Sequence, residues 1–484
     1  MGAIDPVWAT VPPESGFRRD VPSDGMPGTQ NTEVRVLYDR DALYVAARLF
    51  DDRPDLVSRR LNRRDSFGHF NDVFFVLIDS YHDHRTQFVF GVTPAGERRD
   101  AIGSGDTNAG LDASWDPVWV AKTSIDSLGW VAEMRIPFSQ LRFSSTAAPV
   151  WGIQFRRDNV RAGEAADWQW SPRTEPGQVS KYGHLEGLAN IPSPRRLELL
   201  PYGSSQARLT QGPVTGHPFN DGSITAAEAG LDLKYGLTSN LTLTASVNPD
   251  FGQVEADPSV VNLTAYETFF EERRPLFVGG SNIFGFGVSH TTPRIFYSRR
   301  IGRAPSQSLA GTAPFVDEPV ATSILGAAKL SGRTRSGWSI GILDAVTGRE
   351  YGRSADVVGG PIRRKPVEPL TNYAVLRVRR DASGGSAGFG FMGTAVHRDL
   401  DPAEFPTLRR AGYAGAFDFF RRWRANQYQL DGFVSGSRIE EEPGAIGLAQ
   451  LASARYYQRP DQSYAEYDPA ATSLSGWIGE LGSA

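Results

Sequence analysis

The chain has 484 residues, 22% charged and 40% hydrophobic, with a formal net charge of -4 from 51 basic and 55 acidic residues. It contains no cysteine, which excludes a thiol nucleophile, a disulfide and any cysteine-ligated zinc or iron–sulfur centre. No Lys/Arg stripe interleaves with stacking aromatics, so no nucleic-acid footprint is present, and no run of about 18 apolar residues exists to form a helical membrane span.

The 51 glycines and 32 prolines favour many short strands joined by turns. Met1 leads through GAIDPVWATVPP into folded-looking sequence without a signal-peptide pattern, and LSGWIGELGSA ends without a terminal feature. If the protein is exported, this sequence lacks its natural N-terminus, and it reads as a fragment or as a chain cut at both ends.

Residues 1–190 alternate with period two and show little helical periodicity. Val34, Val36 and Tyr38 share one face, followed by Leu43, Val45, Ala47 and Leu49 after a turn at Asp39 and Asp41. DVFFVLID is apolar on both faces and is expected to be a central strand. Phe88, Phe90 and Val92 line one side of the next strand. Trp130, Ala132, Met134 and Ile136 are placed inward, with Glu133 and Arg135 outward, and Trp151, Ile153 and Phe155 repeat the pattern. Short strands, turn signals and no crossover helices predict an antiparallel sandwich or jelly roll.

Seven of the ten tryptophans lie here, and Trp130 and Trp151 read as core. Trp168 and Trp170, in the loop AADWQWSPRTEPG, present the aromatic faces on which a sugar ring stacks, unless one of them plugs the end of the sandwich. Asp72, Asp79 and Asp83 flank the central strand, while Asp100, Asp106, Asp112 and Asp116 are placed in a Gly-rich loop. Asp106 and Asp112 are the calcium candidates, because calcium takes carboxylate and carbonyl oxygens from flexible loops; solvated loop acids are the alternative. His82 and His84 in SYHDHR hint at a metal or form a solvated turn.

The order VRVLYDRDALYVAARLFDD, FNDVFFVLIDSYHDHRTQFVFGVTPAGERRD, SWDPVWVAKT, GWVAEMRIPFSQLRF and WGIQFRRDNVR resembles the family 9 carbohydrate-binding module. It is most similar to the version that fronts a large family of outer-membrane proteins. The resemblance implies a β-sandwich with structural calcium and a sugar end-group held between two tryptophans. Trp168 or Trp170 matches the later clamp residue; before Asp72 only Phe67, His69 and Phe70 stand where the earlier one belongs.

Residues 191–196, with Pro192 and Pro194, read as a short stiff linker. From 197 to 484 the pattern becomes pairs of longer alternating strands. In GLDLKYGL, Leu231, Leu233, Tyr235 and Leu237 oppose Asp232 and Lys234, and LTLTASVN continues after a TSN turn. Similar pairs run through Ile324, Ala328 and Leu330 to WSIGILDAV, from YAVLRVRRD to FGFMGTAVH, and from GYAGAFDFF to YQLDGFVSGS. One face suits hydrocarbon; the other carries Asp232, Lys329, Arg377, Arg379 and Asp418. Gly326, Gly341, Gly390 and Gly432 lie inside strands where a soluble core would not need them. Tyr235, Tyr373, Tyr413 and Trp423 fall where an aromatic girdle sits. About ten strands are expected, as a partial outer-membrane barrel cut before its last strands, with RYYQRPDQSYAEYDPAATSLSGW as a loop leading onward.

Between two strand pairs lies NPDFGQVEADPSVVNLTAYETFFEERRPLFVGGSNIF. Glu271, Glu272, Arg273 and Arg274 sit between aromatic residues, a composition unsuited to lipid and to a dry core. The segment around 248–302 is expected to fold inward as a lumen plug, its acids pairing with lumen arginines, with an exposed charged turn as the alternative. This stretch, FYSRRIGRAP and ARYYQRPD also resemble the outer-membrane family, a resemblance that carries no established activity.

The expected function is saccharide recognition or uptake at the outer membrane of a Gram-negative cell, with a saccharide ligand, lipid contact and the front domain in the periplasm or at the surface. A glycoside hydrolase is the second reading. It requires two carboxylates about 5–5.5 Å apart (retaining) or about 6.5–9.5 Å apart (inverting), and no motif nominates a pair or any other catalytic constellation. A channel with a purely structural cap is the third.

Overall fold

The computed structural model describes residues 6–483 except 63, 66–70, 105, 108–110, 114, 116, 144–147, 176, 190, 192–196, 210–216, 220–222, 239–240, 250–268, 271, 287–293, 335, 383–385, 425–426, 454, 460 and 462–465. Among these residues the chain is all-β, built of several antiparallel sheets. The linker prolines Pro192 and Pro194, most of the stretch from 248 to 271, and Phe67, His69 and Phe70 lie outside the described residues.

Two sheets form the front of the chain. One runs in the order Arg18–Val21, Glu164–Asp167, Trp151–Asn159, Val73–Asp79, Thr86–Val92, Arg98–Ser104, with Gly183–Leu185 also paired to Trp151–Asn159. The other runs Thr32–Tyr38, Ala42–Phe50, Gly129–Pro137, Val120–Asp126. They share one core, in which Val34, Val45, Trp130 and Met134 of the second sheet meet Phe74, Phe90, Trp151 and Phe155 of the first. Alternation puts those side chains on one face of each strand, and burying them is the main favourable term in holding the layers together. Arg157 ties the layers further, donating from the first sheet to the carbonyl oxygens of Asn31 (3.0 Å) and Phe50 (2.8 Å).

Every residue of Val73–Asp79 is buried, as its two-sided apolar sequence predicts. The side away from the main core is covered by a second cluster in which Phe75, Leu77 and Val89 pack with Val179 and Tyr182. A strand apolar on both faces needs a cover on each, and loop residues supply the second one.

The second part is a ten-stranded antiparallel meander in chain order: Leu197–Leu209, Ser223–Gly236, Leu241–Val247, Ile324–Arg333, Trp338–Thr347, Thr371–Ala382, Ala387–Arg398, Ala411–Trp423, Tyr428–Glu440 and Ser473–Ser483. Its edge strands are not paired with each other, so among the described residues the sheet is open. All the expected strand pairs form. Its polarity is the reverse of a soluble sheet. Leu231, Ile342, Leu376, Phe391, Phe417, Val434 and Trp477 are exposed, while Lys329, Arg377 and Asp418 are 1%, 0% and 2% exposed on the other face.

On that second face lie the described parts of the segment from Pro275 to Ile301, namely 275–286 and 294–301. A short helix, Pro275–Val278, and the residues after it bury Leu276, Phe277 and Phe284 against Leu343, Ala345, Val375 and Met392 of the strands. Lys329 Nζ donates to the Leu276 carbonyl oxygen. Arg377 makes a bidentate pair with Asp418 at 2.6 and 2.9 Å, and its guanidinium lies over the Phe286 ring at 5.6 Å. Two strand glycines make this packing possible. A Cβ on Gly390 would stand 2.6 Å from Arg377 Nη1, and one on Gly341 would stand 2.9 Å from the Phe284 ring.

The two parts meet through charge. Arg333 of the meander reaches Asp83 at 2.6 Å and Asp381 at 3.3 Å, and Arg85 of the front part reaches Asp381 at 3.5 Å. Arg85, Arg333 and Asp381, with Arg142, Arg379 and Tyr81, line a cavity of about 90 Å³.

Several sequence expectations are corrected. Ser473–Ser483 is a strand paired along its full length with Tyr428–Glu440, where the sequence reading ended in a loop. Pro443–Leu451 is a helix opened by its proline at the first turn, and a small sheet of Phe315–Asp317, Glu350–Ala355 and Arg363–Glu368 stands beside the meander; neither was anticipated. Asp100 lies in a strand, not a loop, and its carboxylate accepts from Arg64 Nη2 (2.9 Å) and Trp119 Nε1 (3.1 Å). Tyr373 is buried in the inner cluster, unlike the exposed Tyr235, Tyr413 and Trp423, because its strand position faces the Pro275–Ile301 segment.

Removing Asp418 strands the buried Arg377 charge. Asp418→Ala is expected to destabilise the chain by about 3–5 kcal/mol, whereas Arg377→Met combined with Asp418→Leu recovers most of that loss. Urea unfolding of the single and double variants checks this, and equal losses in both would refute it.

Candidate functional site

A cleft of about 260 Å³ opens on the outer side of the front sheet, away from the main core. Its floor comes from outward-facing Gln154 and Arg156 of Trp151–Asn159, since alternate residues of that strand, Trp151, Ile153 and Phe155, point into the core. Asp20 enters from the edge strand Arg18–Val21 and Asp167 from Glu164–Asp167 beside it, and the loop after Ser171 forms the wall with Arg173, Glu175, Gln178 and Lys181.

Arg156 is the hub. Its Nη1 lies 3.2 Å from Asp20 and 3.5 Å from Asp167, and its Nε donates to Asp158 at 2.9 Å. Arg173 Nε donates to the other Asp20 oxygen at 2.9 Å, and Lys181 pairs with Glu175 at 2.8 Å. Burial pushes the Asp167 carboxyl up to about 6 against the opposing pull of Arg156, with the Asp20 charge adding to the rise. Burial also raises the Tyr182 phenol well above its usual range, and Tyr182 Oη donates to Gln87 Oε1 at 2.6 Å. The result is a wall of alternating donors and acceptors with no uncompensated charge, chemistry suited to hydroxyl-rich ligands.

The structure places the two candidate indoles beside this cleft, not in it. Trp168 packs on Phe155 with ring centroids 5.4 Å apart and against Gly183, at the margin of the main core. Trp170 turns to the N-terminal segment, where its Nε1 donates to Asp24 at 2.8 Å and Arg18 lies over its ring at 5.9 Å. Both are half-buried, and the cleft-facing residue between them is Gln169, held by Gln154 through bonds of 2.7 and 2.9 Å.

The two calcium candidates are held in different ways. Asp106 accepts from the backbone N–H groups of Gln178 (2.8 Å) and Ser180 (2.9 Å) and from Ser180 Oγ (2.7 Å). It thereby pins one covering loop to the other. Asp112 sits in an isolated backbone bridge with Ile102, and Asp116 lies outside the described residues. Among the described residues no three acidic or imidazole side chains already surround a common point.

In the charged stretch, Glu271 lies outside the described residues. Glu272 pairs not with a strand arginine but with Arg274, at 2.7 and 2.8 Å, and accepts from Ser298 Oγ. Arg274 also donates to the carbonyl oxygens of Ile301 (2.6 Å) and Ser298 (2.8 Å) and lies 4.3 Å from the Phe277 ring centroid. Arg273 presents an exposed side chain and donates its backbone N–H to Glu272 at 3.1 Å. Glu272 and Arg274 thus form a local knot that anchors the chain entering the segment on the charged face. Their partner is that segment's own return path, because a residue two positions away is reached at far less entropic cost than a distant strand.

Sequence reasoning missed Arg156, Asp167, Arg173 and Tyr182. The signal for Arg156 was present, since the alternation that sends Trp151, Ile153 and Phe155 inward sends Gln154 and Arg156 out. Nothing local links them to Asp20 or to the 171–182 loop.

The profile of the family described as a domain of unknown function (DUF5916) matches residues 193–460, more than half of the chain. No curated protein matches it.

A carboxyl raised by folding binds its proton more readily in the folded protein than in the unfolded chain. Its cost is full above about pH 6 and relieved as the pH falls toward the ordinary carboxylate value near 4. Asp167→Asn is therefore expected to stabilise the chain at pH 7–8 by at most roughly 3 kcal/mol, with the gain vanishing near pH 4. Thermal melts across that range check it; a gain that persists at pH 4 would contradict the assignment.

Proposed function

The chain belongs to the DUF5916 family, and from that premise we propose that it is an outer-membrane β-barrel protein whose front sandwich recognises a saccharide. The observation that carries the membrane part is the inverted polarity of the ten-stranded meander. Large apolar side chains such as Trp477, Phe391 and Val434 are exposed, while Arg377, Asp418 and Lys329 are sequestered on the other face. Water would favour the opposite arrangement, and lipid favours this one. No described helix is long and apolar enough to cross a membrane, so the strands would do so. The reading requires both sheet edges to be paired in the bilayer, by each other or by further strands, because unpaired backbone in hydrocarbon is too costly.

Inside such a barrel, the Pro275–Ile301 segment is the plug. Its packing on the charged face, through Leu276, Phe277, Phe284 and the Arg377–Phe286 contact, supports that role. The front sandwich sits beyond one barrel mouth, held by the Arg333–Asp83 and Arg85–Asp381 pairs. Its polar cleft around Arg156 and Asp167, with Trp168 and Trp170 alongside, is the candidate saccharide surface. A planar guanidinium flanked by carboxylates offers paired donors and acceptors to vicinal hydroxyls. Calcium is not part of this reading.

Heat-modifiable gel migration and dependence on detergent test the barrel, and a chain that stays monomeric without detergent would end that reading. Glycan-array binding by the full chain, weakened about tenfold or more by Arg156→Ala with Arg173→Ala, tests recognition. Unchanged binding there, with loss in Trp168→Ala plus Trp170→Ala, would move the site to the indoles. Release of free sugar would favour the hydrolase reading, and no binding at all would leave a channel with a structural cap.

A further inference from the structure

The turn after Val73–Asp79 carries His82 and His84, and the fold brings His184 of Gly183–Leu185 against them. His82 Nε2 and His184 Nδ1 stand 3.2 Å apart. The His82 ring is nearly perpendicular to that of His184, with centroids 5.1 Å apart, and His84 packs on the other ring contact of His82 at 4.9 Å. A metal held about 2.0–2.1 Å from both nitrogens would subtend an angle of about 100° between them, close to the tetrahedral value.

The turn is held in a conformation that its residues do not favour. His82 and His84 both have left-handed backbones, with φ of 51° and 60°. The buried Asp79 carboxylate holds them there, accepting from the backbone N–H of Asp83 (3.2 Å) and of His84 (2.8 Å). Such backbone strain persists where the surrounding structure enforces it, and it concentrates at sites with a ligand or switch role. Here it aims one imidazole at another across 102 residues of sequence, on a surface open to solvent.

We propose that His82 Nε2 and His184 Nδ1 form a binding site for a late divalent transition metal, Cu²⁺ more tightly than Zn²⁺, with the remaining positions filled by water or by a donor atom from another molecule. In the metal-free protein one N–H lies between the two facing nitrogens; the metal takes that place, and the displaced proton passes through solvent to the other nitrogen of the same ring, so that both imidazoles bind as neutral ligands. The neighbouring Asp83 carboxylate is bound to Arg333 of the meander at 2.6 Å and to Thr86, so it is engaged elsewhere. A bound metal would clamp the turn that makes this contact to the strand carrying His184.

The full chain is titrated with CuCl₂ and ZnCl₂ by calorimetry, and the Cu²⁺ form is read by pulsed electron paramagnetic resonance. The expected result is one equivalent bound, imidazole nitrogen coupling from two rings, and affinity lowered about tenfold or more by either His184→Ala or His82→Asn. Asn tolerates the left-handed backbone, so the second variant keeps the turn. Circular dichroism of the metal-free variants should match the parent. Absence of binding by either ion at about 1 mM, or one-equivalent binding unchanged in both variants, would overturn the proposal.

Discussion

Charge that must not be left alone in dry packing governs the second half of this chain. Arg377 and Asp418 sit on strands separated by one other, and their bidentate contact passes over Gly390 in the strand between them. Each charge of such a buried pair needs the other, since leaving one alone costs several kcal/mol. Lys329 meets the same demand by donating to the Leu276 carbonyl oxygen. The inner-face segment is therefore not an independent ornament. It supplies the acceptor, the Phe286 ring and the apolar cover that allow charged residues to remain on that face.

The same logic explains the local knot at Glu272 and Arg274. These residues satisfy each other and the carbonyl oxygens of Ser298 and Ile301, so the segment enters and leaves the inner face at one fixed point. Between the two ends, Leu276, Phe277 and Phe284 are free to bury apolar surface. In the proposed barrel this arrangement makes the plug part of the wall's own packing, and displacing it would expose Arg377 and Lys329 together.

The front part solves a different problem. Its central strand is apolar on both faces, so one cover is the partner sheet and the other is a pair of loops fastened by Asp106. Those loops also form the wall of the polar cleft. Stability of the second core and shape of the candidate binding surface thus rest on the same backbone. The His82–His184 contact lies on the adjoining turn, one residue from the Asp83–Arg333 bond, which places the proposed metal site at the joint between the two parts.

Alternation by itself determined much of this protein. Val34 to Leu49, Val73 to Asp79 and Trp130 to Ile136 declare their faces, because a strand has only two and the apolar one must be buried. The meander hairpins and the charged face of their strands were equally legible, since the same alternation marks them. Local pattern could not decide which distant groups meet. Glu272 found Arg274 and Ser298 instead of a strand arginine, Asp106 found the backbone of Gln178 and Ser180, and Tyr373 joined the buried cluster around Leu276 and Phe277. Trp168 and Trp170, neighbours in sequence, separated toward the core margin and the N-terminal segment. Arg156 met Asp20, and His82 met His184, only because sheet pairing fixed which strands and turns stand side by side. Periodicity specifies the face a residue occupies, whereas its partner across the face depends on chain topology, and only the tertiary structure decided that.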